Sequence, residues 1–189
     1  MRIDGATALV TGANRGFGRH LTEELLRRGA RVYATARRPE PVDIPGAEVL
    51  SLDITDEDSM EAARRTAGGV DLLVNNAAST EVASLTTGDP AAVERMIGTR
   101  FFGTLDMIRT FAPVLARNGG GAVLNVLSLT AWTAVEANTA LSAAKSAQWG
   151  LTNGVRLEPA GQRTLVTALV ASPGSSAPRR CARPWRRPG

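Results

Sequence analysis

A glycine-rich segment close to the start of the chain has the residue types of a phosphate-binding turn. Residues 11–18 read Thr-Gly-Ala-Asn-Arg-Gly-Phe-Gly, and they separate an apolar run from a segment with helical spacing. Glycine permits a tight turn and a close approach of the backbone to a ligand. The free N–H groups and the positive dipole end of a helix that follows favour an anion. The segment therefore predicts a pyrophosphate-binding turn, and the alternative is a glycine-rich turn without a ligand.

The elements that must position this turn alternate between strands and helices. Apolar runs predict strands at 6–10, 31–35, 48–52, 70–74, 122–127 and 164–170. Helical spacing predicts helices from 17 to a stop signal at Gly29, and at 56–67, 90–117 and 139–157. The alternation predicts an α/β fold with a doubly wound parallel sheet of six strands and helices on both faces.

Start and break signals refine two of these helices. Thr55 is a candidate N-cap of the helix at 56–67. Asp89 and Pro90 have the residue types of an N-cap and a first helical position. Pro113 lies inside the helix predicted at 90–117, so we expect a bend there.

Composition excludes several other classes of protein. The chain has 189 residues, of which 43% are hydrophobic and 21% charged, as in a soluble globular domain. It has no apolar run of membrane-spanning length and no recognisable secretion signal at its N-terminus. The single cysteine, Cys181, cannot form an internal disulfide, so we expect a reducing, cytoplasmic location.

The net charge of +4 is concentrated at the C-terminal end. Residues 172–189 contain five arginines and no acid, which leaves 17 basic and 18 acidic residues in the rest of the chain. A nearly neutral body has no electrostatic footprint for nucleic acid. We therefore expect one domain at 1–174 and an unpacked, basic Pro/Arg-rich tail at 175–189, with contact of the tail to an anionic partner as the alternative.

Several motifs, in the right order, resemble the short-chain dehydrogenase/reductase family. The turn at 12–18 has the family's Gly-x-x-x-Gly-x-Gly spacing, and Asn-Asn-Ala-Ala at 75–78 resembles its Asn-Asn-Ala-Gly signature. Ser128 lies where the family keeps a catalytic serine, Lys145 follows 17 residues later, and Pro-Gly at 173–174 follows the sixth strand. This resemblance covers about residues 4–174 and implies a Rossmann-type fold.

The resemblance also implies a nicotinamide cofactor and an oxidoreductase that acts on a carbonyl or alcohol. Asp53, after the third strand, resembles the family's adenine-contacting acid. The positions implied to bind cofactor are Gly12, Asn14, Arg15, Gly16, Phe17, Gly18, Arg37, Asp53, Asn75, Ala77, Lys145, Pro173 and Gly174. We assign no metal site, and we expect a small-molecule substrate without nucleic-acid or membrane binding.

The end of the second predicted strand bears on the choice of cofactor. A carboxylate there would bind a ribose hydroxyl and repel a 2′-phosphate. The sequence from Thr35 continues Ala-Arg-Arg, so it offers Arg37 and Arg38 and no acid, and Arg15 could reach the same phosphate. Guanidinium groups match phosphate geometry, which favours NADP over NAD. The alternative is ordinary solvated loop charge.

Two catalytic positions depart from the family pattern. The family uses a tyrosine whose pKa is lowered by a lysine four residues later. Leu141 occupies that position whether it is counted back from Lys145 or forward from Ser128, and leucine cannot transfer a proton. Arg100, in Arg-Phe-Phe-Gly, replaces the family's asparagine, which helps hold a proton-relay water.

Three functions remain open. The first is an oxidoreductase with weak or altered activity, in which Lys145 holds the nicotinamide ribose and water or Ser128 supplies the proton. The second is a non-redox cyclase, dehydratase or isomerase that reuses the pocket, with Glu136 or Arg100 in polar roles. The third is a non-catalytic binding or partner protein. If the cofactor site is disabled, no cofactor binds.

The C-terminal end and the assembly carry further expectations. Family members continue past the sixth strand with a lid and a seventh strand, so we expect a C-terminally truncated member with an exposed sheet edge. The change of composition at Ser172 suggests a shifted reading frame as a hypothesis. The helices at 90–117 and 139–157 form a dimer face in the family, so the resemblance allows a homo-oligomer through them.

Overall fold

The computed structural model describes residues 1–40, 42–158 and 164–171. The strands are β1 (Thr7–Thr11), β2 (Arg31–Ala36), β3 (Glu48–Ser51), β4 (Leu72–Asn75), β5 (Gly121–Ser128) and β6 (Thr164–Ala171). The α-helices are α1 (Gly16–Arg27), α2 (Glu57–Thr66), α3 (Pro90–Ile97), α4 (Gly103–Arg117) and α5 (Thr139–Leu157). Within these ranges, no helix is both long and apolar enough to cross a membrane. The predicted tail, with Pro173, Gly174 and Cys181, lies outside the described residues.

The described strands form one parallel sheet in the order β3-β2-β1-β4-β5-β6. This confirms the predicted doubly wound α/β fold and gives it the order found in dinucleotide-binding sheets. The order reverses between β1 and β4, and ligands of such sheets bind outside the carboxyl ends of the strands at that point. Both Thr11, at the end of β1, and Asn75, at the end of β4, lie at this edge.

Helices pack against both faces of the sheet, because neighbouring residues of a strand point to opposite faces. On one face, Leu9 of β1 joins a buried cluster with Phe111 of α4. On the other face, Val10 joins a cluster with Leu25 of α1. A smaller cluster, which includes Met96, connects α3 to α5. The core is therefore two apolar layers with the sheet between them.

The segment predicted as one helix at 90–117 forms two α-helices, and no sequence pattern indicated the position of the division. Asp89 caps α3 as predicted, since its Oδ1 accepts from the N–H of Ala91 at 3.0 Å and Pro90 is the first helical residue. The chain then forms a π-helical turn at Gly98–Phe102 before α4 begins. α4 continues through Pro113, so the departure from α-helical geometry lies at the π turn and not at the proline. Single π turns inside α-helices are frequently found at functional sites.

The predicted cap at Thr55 is wrong. The residue at the N-cap of α2 is Asp56, and its side chain makes no capping hydrogen bond. Thr55 instead turns back to Asp53: its hydroxyl and its N–H both donate to Asp53 Oδ1, at 2.7 and 2.9 Å. Local competition from a side-chain acceptor two residues earlier draws the threonine away from the helix.

Candidate functional site

The turn after β1 is held in place by Thr11 and Asn76. The Thr11 hydroxyl donates to the carbonyl of Val74 at 3.2 Å and accepts from the N–H groups of Asn76 and Ala77, each at 2.9 Å. The Asn76 side-chain amide donates to the carbonyls of Thr11 and Gly12, at 2.9 and 3.1 Å. These bonds join the carboxyl ends of β1 and β4, so the turn is fixed without a ligand.

The three glycines of this turn are required for different reasons. A Cβ at Gly12 would lie 2.9 Å from the Cα of Ala77, and a Cβ at Gly18 would collide with the side chain of Asn76 and the carbonyl of Gly12. Gly16 has open space around it but a φ of +55°, which side chains rarely adopt. Arg15 makes no side-chain cap to α1 and the first turn of α1 carries no acid. The first N–H groups of α1 are therefore available to a phosphate, and the turn fits a dinucleotide.

The turn opens on a cleft of about 1000 Å³ along the carboxyl edge of the sheet. Nine of the residues predicted to bind cofactor line it, namely Gly12, Asn14, Arg15, Gly16, Phe17, Gly18, Arg37, Asp53 and Ala77. Asn75 does not line it: this side chain is buried, and its amide donates to Asn125 Oδ1 at 2.9 Å. Lys145 and Ser128 also lie outside this lining, toward β5 and α5.

Positive charge gathers at one end of the cleft. Arg15, Arg37 and Arg38 are exposed and line it, and none of them forms an ion pair among the described residues. Asp53 is held by its two hydrogen bonds from Thr55. This end of the cleft thus has three cations available to an anionic ligand, the oriented carboxylate of Asp53 and the exposed carboxylate of Glu40.

A buried lysine marks the other end of the candidate site. Lys145 Nζ donates to the carbonyl of Val126 at 2.6 Å and to Gln148 Oε1 at 2.8 Å. Burial, and then the positive charge of Arg100, lower the pKa of Lys145 to about 7. Gln148 in turn donates to the hydroxyl of Thr104 at 2.9 Å. Sequence reasoning missed Gln148 and Thr104, although Gln148 lies three residues after Lys145 on the same face of a helix.

Arg100 lies on the π turn and is only 7% exposed. Its Nη2 donates to the carbonyl of Ser79 at 2.8 Å, while its Nε is buried without a partner among the described residues. Burial lowers the pKa of the guanidinium. The residue predicted at the asparagine position is therefore a buried cation close to a second one, Lys145.

The remaining predicted catalytic positions lie around Lys145. Ser128 ends β5, two residues after the carbonyl that binds Lys145, and its hydroxyl accepts from the N–H of Thr130 at 3.3 Å. Leu141 lies one helical turn before Lys145 on α5 and packs against the cluster that contains Met96. Glu136 is exposed on a short 3₁₀ turn. The structure therefore brings Ser128, Leu141 and Lys145 to one region and leaves Glu136 in solvent.

Comparison with known proteins matches residues 6–183 to the family described as short chain dehydrogenase. Sorbitol dehydrogenase of Cereibacter sphaeroides is 35% identical over 139 residues, which make up 68% of this chain and 54% of that protein. The chain thus spans about half the length of this curated relative.

Two solved structures are similar in fold and sequence. A short chain dehydrogenase from Burkholderia cenocepacia J2315, in complex with NADP, has a TM-score of 0.88 and 37% identity, over 98% of this chain and 80% of that one. A 3-ketoacyl-(acyl-carrier-protein) reductase from Brucella melitensis, complexed with NADH, has a TM-score of 0.81 and 27% identity, over 90% of this chain and 76% of that one.

The lowered pKa of Lys145 is directly measurable, because the chain has no other lysine. In protein labelled with ¹³C at lysine Cε, a single resonance should titrate with a midpoint at pH about 7. Arg100→Asn removes the neighbouring charge and should raise this midpoint, as followed by NMR. Arg109→Asn, which removes an exposed charge on α4, is the matched control and should leave it unchanged. A midpoint at the ordinary lysine value in the folded protein would contradict the buried placement.

The same pKa makes stability depend on pH in a defined window. The pKa is lowered from 10.5 to about 7, so between these values the unfolded chain binds a proton that the folded chain lacks. The free energy of unfolding of the wild type, minus that of Lys145→Met, should therefore rise from pH 7 to pH 10.5, by at most about 1.4 kcal/mol per pH unit. Below this window both states are protonated and the difference should be flat. Urea unfolding at a series of pH values measures it, and a difference that falls with pH would refute the assignment.

Proposed function

Because the chain belongs to the short-chain dehydrogenase family, we propose that it binds NADP and acts as an oxidoreductase on a carbonyl or alcohol. The observation that carries the proposal is the glycine turn of residues 12–18, which is fixed before any ligand binds and opens on the cleft. A turn that is rigid in advance spends little binding free energy on ordering itself.

The roles of the cofactor-binding residues follow from their places along the cleft. The glycine turn and the first N–H groups of α1 would hold the pyrophosphate. Asp53 would contact the adenine end, and Lys145 the nicotinamide ribose. The bound nicotinamide would supply or accept the hydride. Ser128 would bind the substrate oxygen next to Lys145.

The preference for NADP rests on charge in this chain. Likeness to solved relatives does not decide it, since one was solved with NADP and another with NADH. Arg37 and Arg38 follow β2, where a cofactor's 2′-substituent would lie, and Arg15 lines the same cleft. Three guanidinium groups without a described carboxylate partner favour a phosphate over a ribose hydroxyl.

The leucine at position 141 weakens the argument for efficient redox catalysis and favours a second candidate function. A leucine at this position leaves proton transfer to water or to Ser128, and neutral hydroxyls are poor acids near pH 7. We therefore expect slow carbonyl reduction. The second candidate is a non-redox enzyme, such as a cyclase, dehydratase or isomerase, that uses the same pocket. It would form product with no change in NADPH absorbance.

Arg37→Gln tests the cofactor preference. Loss of a charge-assisted hydrogen bond to the 2′-phosphate should weaken NADPH binding by about tenfold or more. Binding of NADH, which has no such phosphate, should change little. Nicotinamide fluorescence measures both, and Arg31→Gln, an exposed arginine at the start of β2, is the matched control. Equal weakening of NADPH and NADH by Arg37→Gln would remove the basis for NADP.

Leu141→Tyr tests the catalytic position. The new hydroxyl lies one helical turn from Lys145, and a positioned acid contributes about 10²–10⁴-fold to such reactions. We expect NADPH oxidation with a panel of aldehydes and ketones to rise at least about tenfold in this variant. Leu141→Phe adds the ring without the hydroxyl and should give no rise. Lys145→Met should abolish activity in every background.

Equal rates in Leu141→Tyr and Leu141→Phe, with folding and NADPH binding intact, would refute the assignment of position 141. Product formation without NADPH consumption in the wild type would support the non-redox candidate instead. A folded wild-type protein that fails to bind NADPH would refute the proposed function.

A further inference from the structure

Three acidic side chains line the cleft, and two of them are engaged by neighbouring residues. Asp53 Oδ1 accepts two hydrogen bonds from Thr55, and Glu81 Oε1 accepts one from Arg95 Nε at 2.6 Å. The third acid is Glu40, which is exposed and forms no ion pair among the described residues. The carboxylate of Glu40 is therefore open to a ligand in the cleft.

The backbone places the segment that carries Glu40 between two parts of the site. The carbonyl of Thr35, near the end of β2, accepts from the N–H of Ala13 in the glycine turn at 2.8 Å. The next carbonyl, that of Ala36, accepts from the N–H of Leu52 after β3 at 2.9 Å. The segment that continues to Glu40 therefore starts between the glycine turn and the residues that follow β3.

The chain is also held on the far side of Glu40. The N–H of Val42 donates to the carbonyl of Pro39 at 2.8 Å, so the chain turns at Glu40. Val42 and Ile44 are then buried in the cluster that contains Leu25 of α1. Glu40 is therefore presented to the cleft from a turn that is anchored in the core, and not from a long free loop.

Glu40 and the three arginines at this end of the cleft have opposite effects on a bound nucleotide. A 2′-phosphate is attracted by guanidinium groups and repelled by a carboxylate, whereas a ribose 2′-hydroxyl donates a hydrogen bond to a carboxylate. Glu40 pairs with none of Arg15, Arg37 and Arg38 within the part of the chain that the structure describes. The arginines therefore favour a phosphate at this place, and Glu40 favours a hydroxyl.

We infer that Glu40 determines how strictly the cleft selects NADP. Its carboxylate accepts a hydrogen bond from the ribose 2′-hydroxyl of NAD, so the chain binds both cofactors. The inference rests on the proposed function for the identity of the ligand, since it requires a nicotinamide dinucleotide on the glycine turn. The arginines remain the larger influence, because three cations face one carboxylate. A neutral side chain at position 40 therefore gives a site that selects NADP more strictly.

Glu40→Gln tests the inference through binding alone, with nicotinamide fluorescence as the measurement of Kd. The variant should bind NADPH about threefold more tightly, because repulsion of the phosphate is removed. It should bind NADH about threefold more weakly, because a neutral amide accepts a weaker hydrogen bond than a carboxylate. The ratio of the two Kd values should thus change about tenfold in favour of NADPH.

Glu48→Gln is the matched control, since it neutralises an exposed acid at the start of β3 that does not line the cleft. The ratio of the two Kd values should stay at the wild-type value in this variant. An unchanged ratio in Glu40→Gln would overturn the inference. An equal change in both variants would also overturn it, because the effect would then come from net charge and not from position 40.

Adenosine nucleotides test the same residue without a nicotinamide. Adenosine 2′,5′-bisphosphate and adenosine 5′-monophosphate differ only in the 2′-phosphate, and calorimetry gives the Kd of each. Glu40→Gln should tighten binding of the bisphosphate and weaken binding of the monophosphate, and high salt should reduce the first effect by screening. Changes of the same sign and size for both nucleotides would contradict a role for Glu40 at the 2′-position.

The inference and the proposed function fail separately. A preference between the two adenosine nucleotides that depends on Glu40, in a protein that oxidises no NADPH with any carbonyl, would support the role of Glu40 and count against the oxidoreductase. Binding of NADPH with the same Kd ratio in the wild type and in Glu40→Gln would do the reverse. A folded protein that binds none of these nucleotides would refute both.

Discussion

The hydroxyl of Thr11 is the contact on which the rest of the candidate site depends. It joins β1 to β4 at the position where the strand order reverses, by one donated and two accepted hydrogen bonds. The bonds from Asn76 to the carbonyls of Thr11 and Gly12 then fix the path of the glycine turn. That path sets where α1 begins and which way its free N–H groups face. The cleft is therefore a consequence of how two neighbouring strands end.

At the end of the candidate site that contains Lys145, a series of hydrogen-bonded, buried polar side chains holds the structure together. Asn75 donates to Asn125, and Asn125 to Thr152 of α5, each at 2.9 Å. Gln148 joins Lys145 of the same helix to Thr104 of α4. These bonds join α5 to β5 and to α4, although Asn75 Oδ1 is buried without a partner among the described residues. The position of Lys145 follows from these bonds and not from any charged partner.

The elements that follow from local sequence patterns, namely the strands and helix α5, could be predicted from the sequence. All six described strands lie within two residues of their predicted bounds, and α5 has the predicted bounds, because apolar runs and periodicity respond to burial alone. The π turn at Gly98–Phe102 and the return of Thr55 to Asp53 depend on contacts between neighbouring segments, which no local pattern reports. Asn75 was predicted to bind cofactor; in the structure its side chain is buried and Asn76, the next residue, lines the cleft.

The two departures at the catalytic end are physically coupled. In the family pattern a charged lysine lowers the pKa of the tyrosine, so the lysine acts through its positive charge. Here burial and the charge of Arg100 lower the pKa of Lys145 to about 7, which leaves the amine only partly charged at neutral pH. A lysine in that state would tune a tyrosine weakly. Leu141 removes the hydroxyl that this charge would have served. Burial, and then the positive charge of Arg100, reduce the charge of Lys145 itself. Both changes therefore act on the same function, which is the activation of a hydroxyl at position 141.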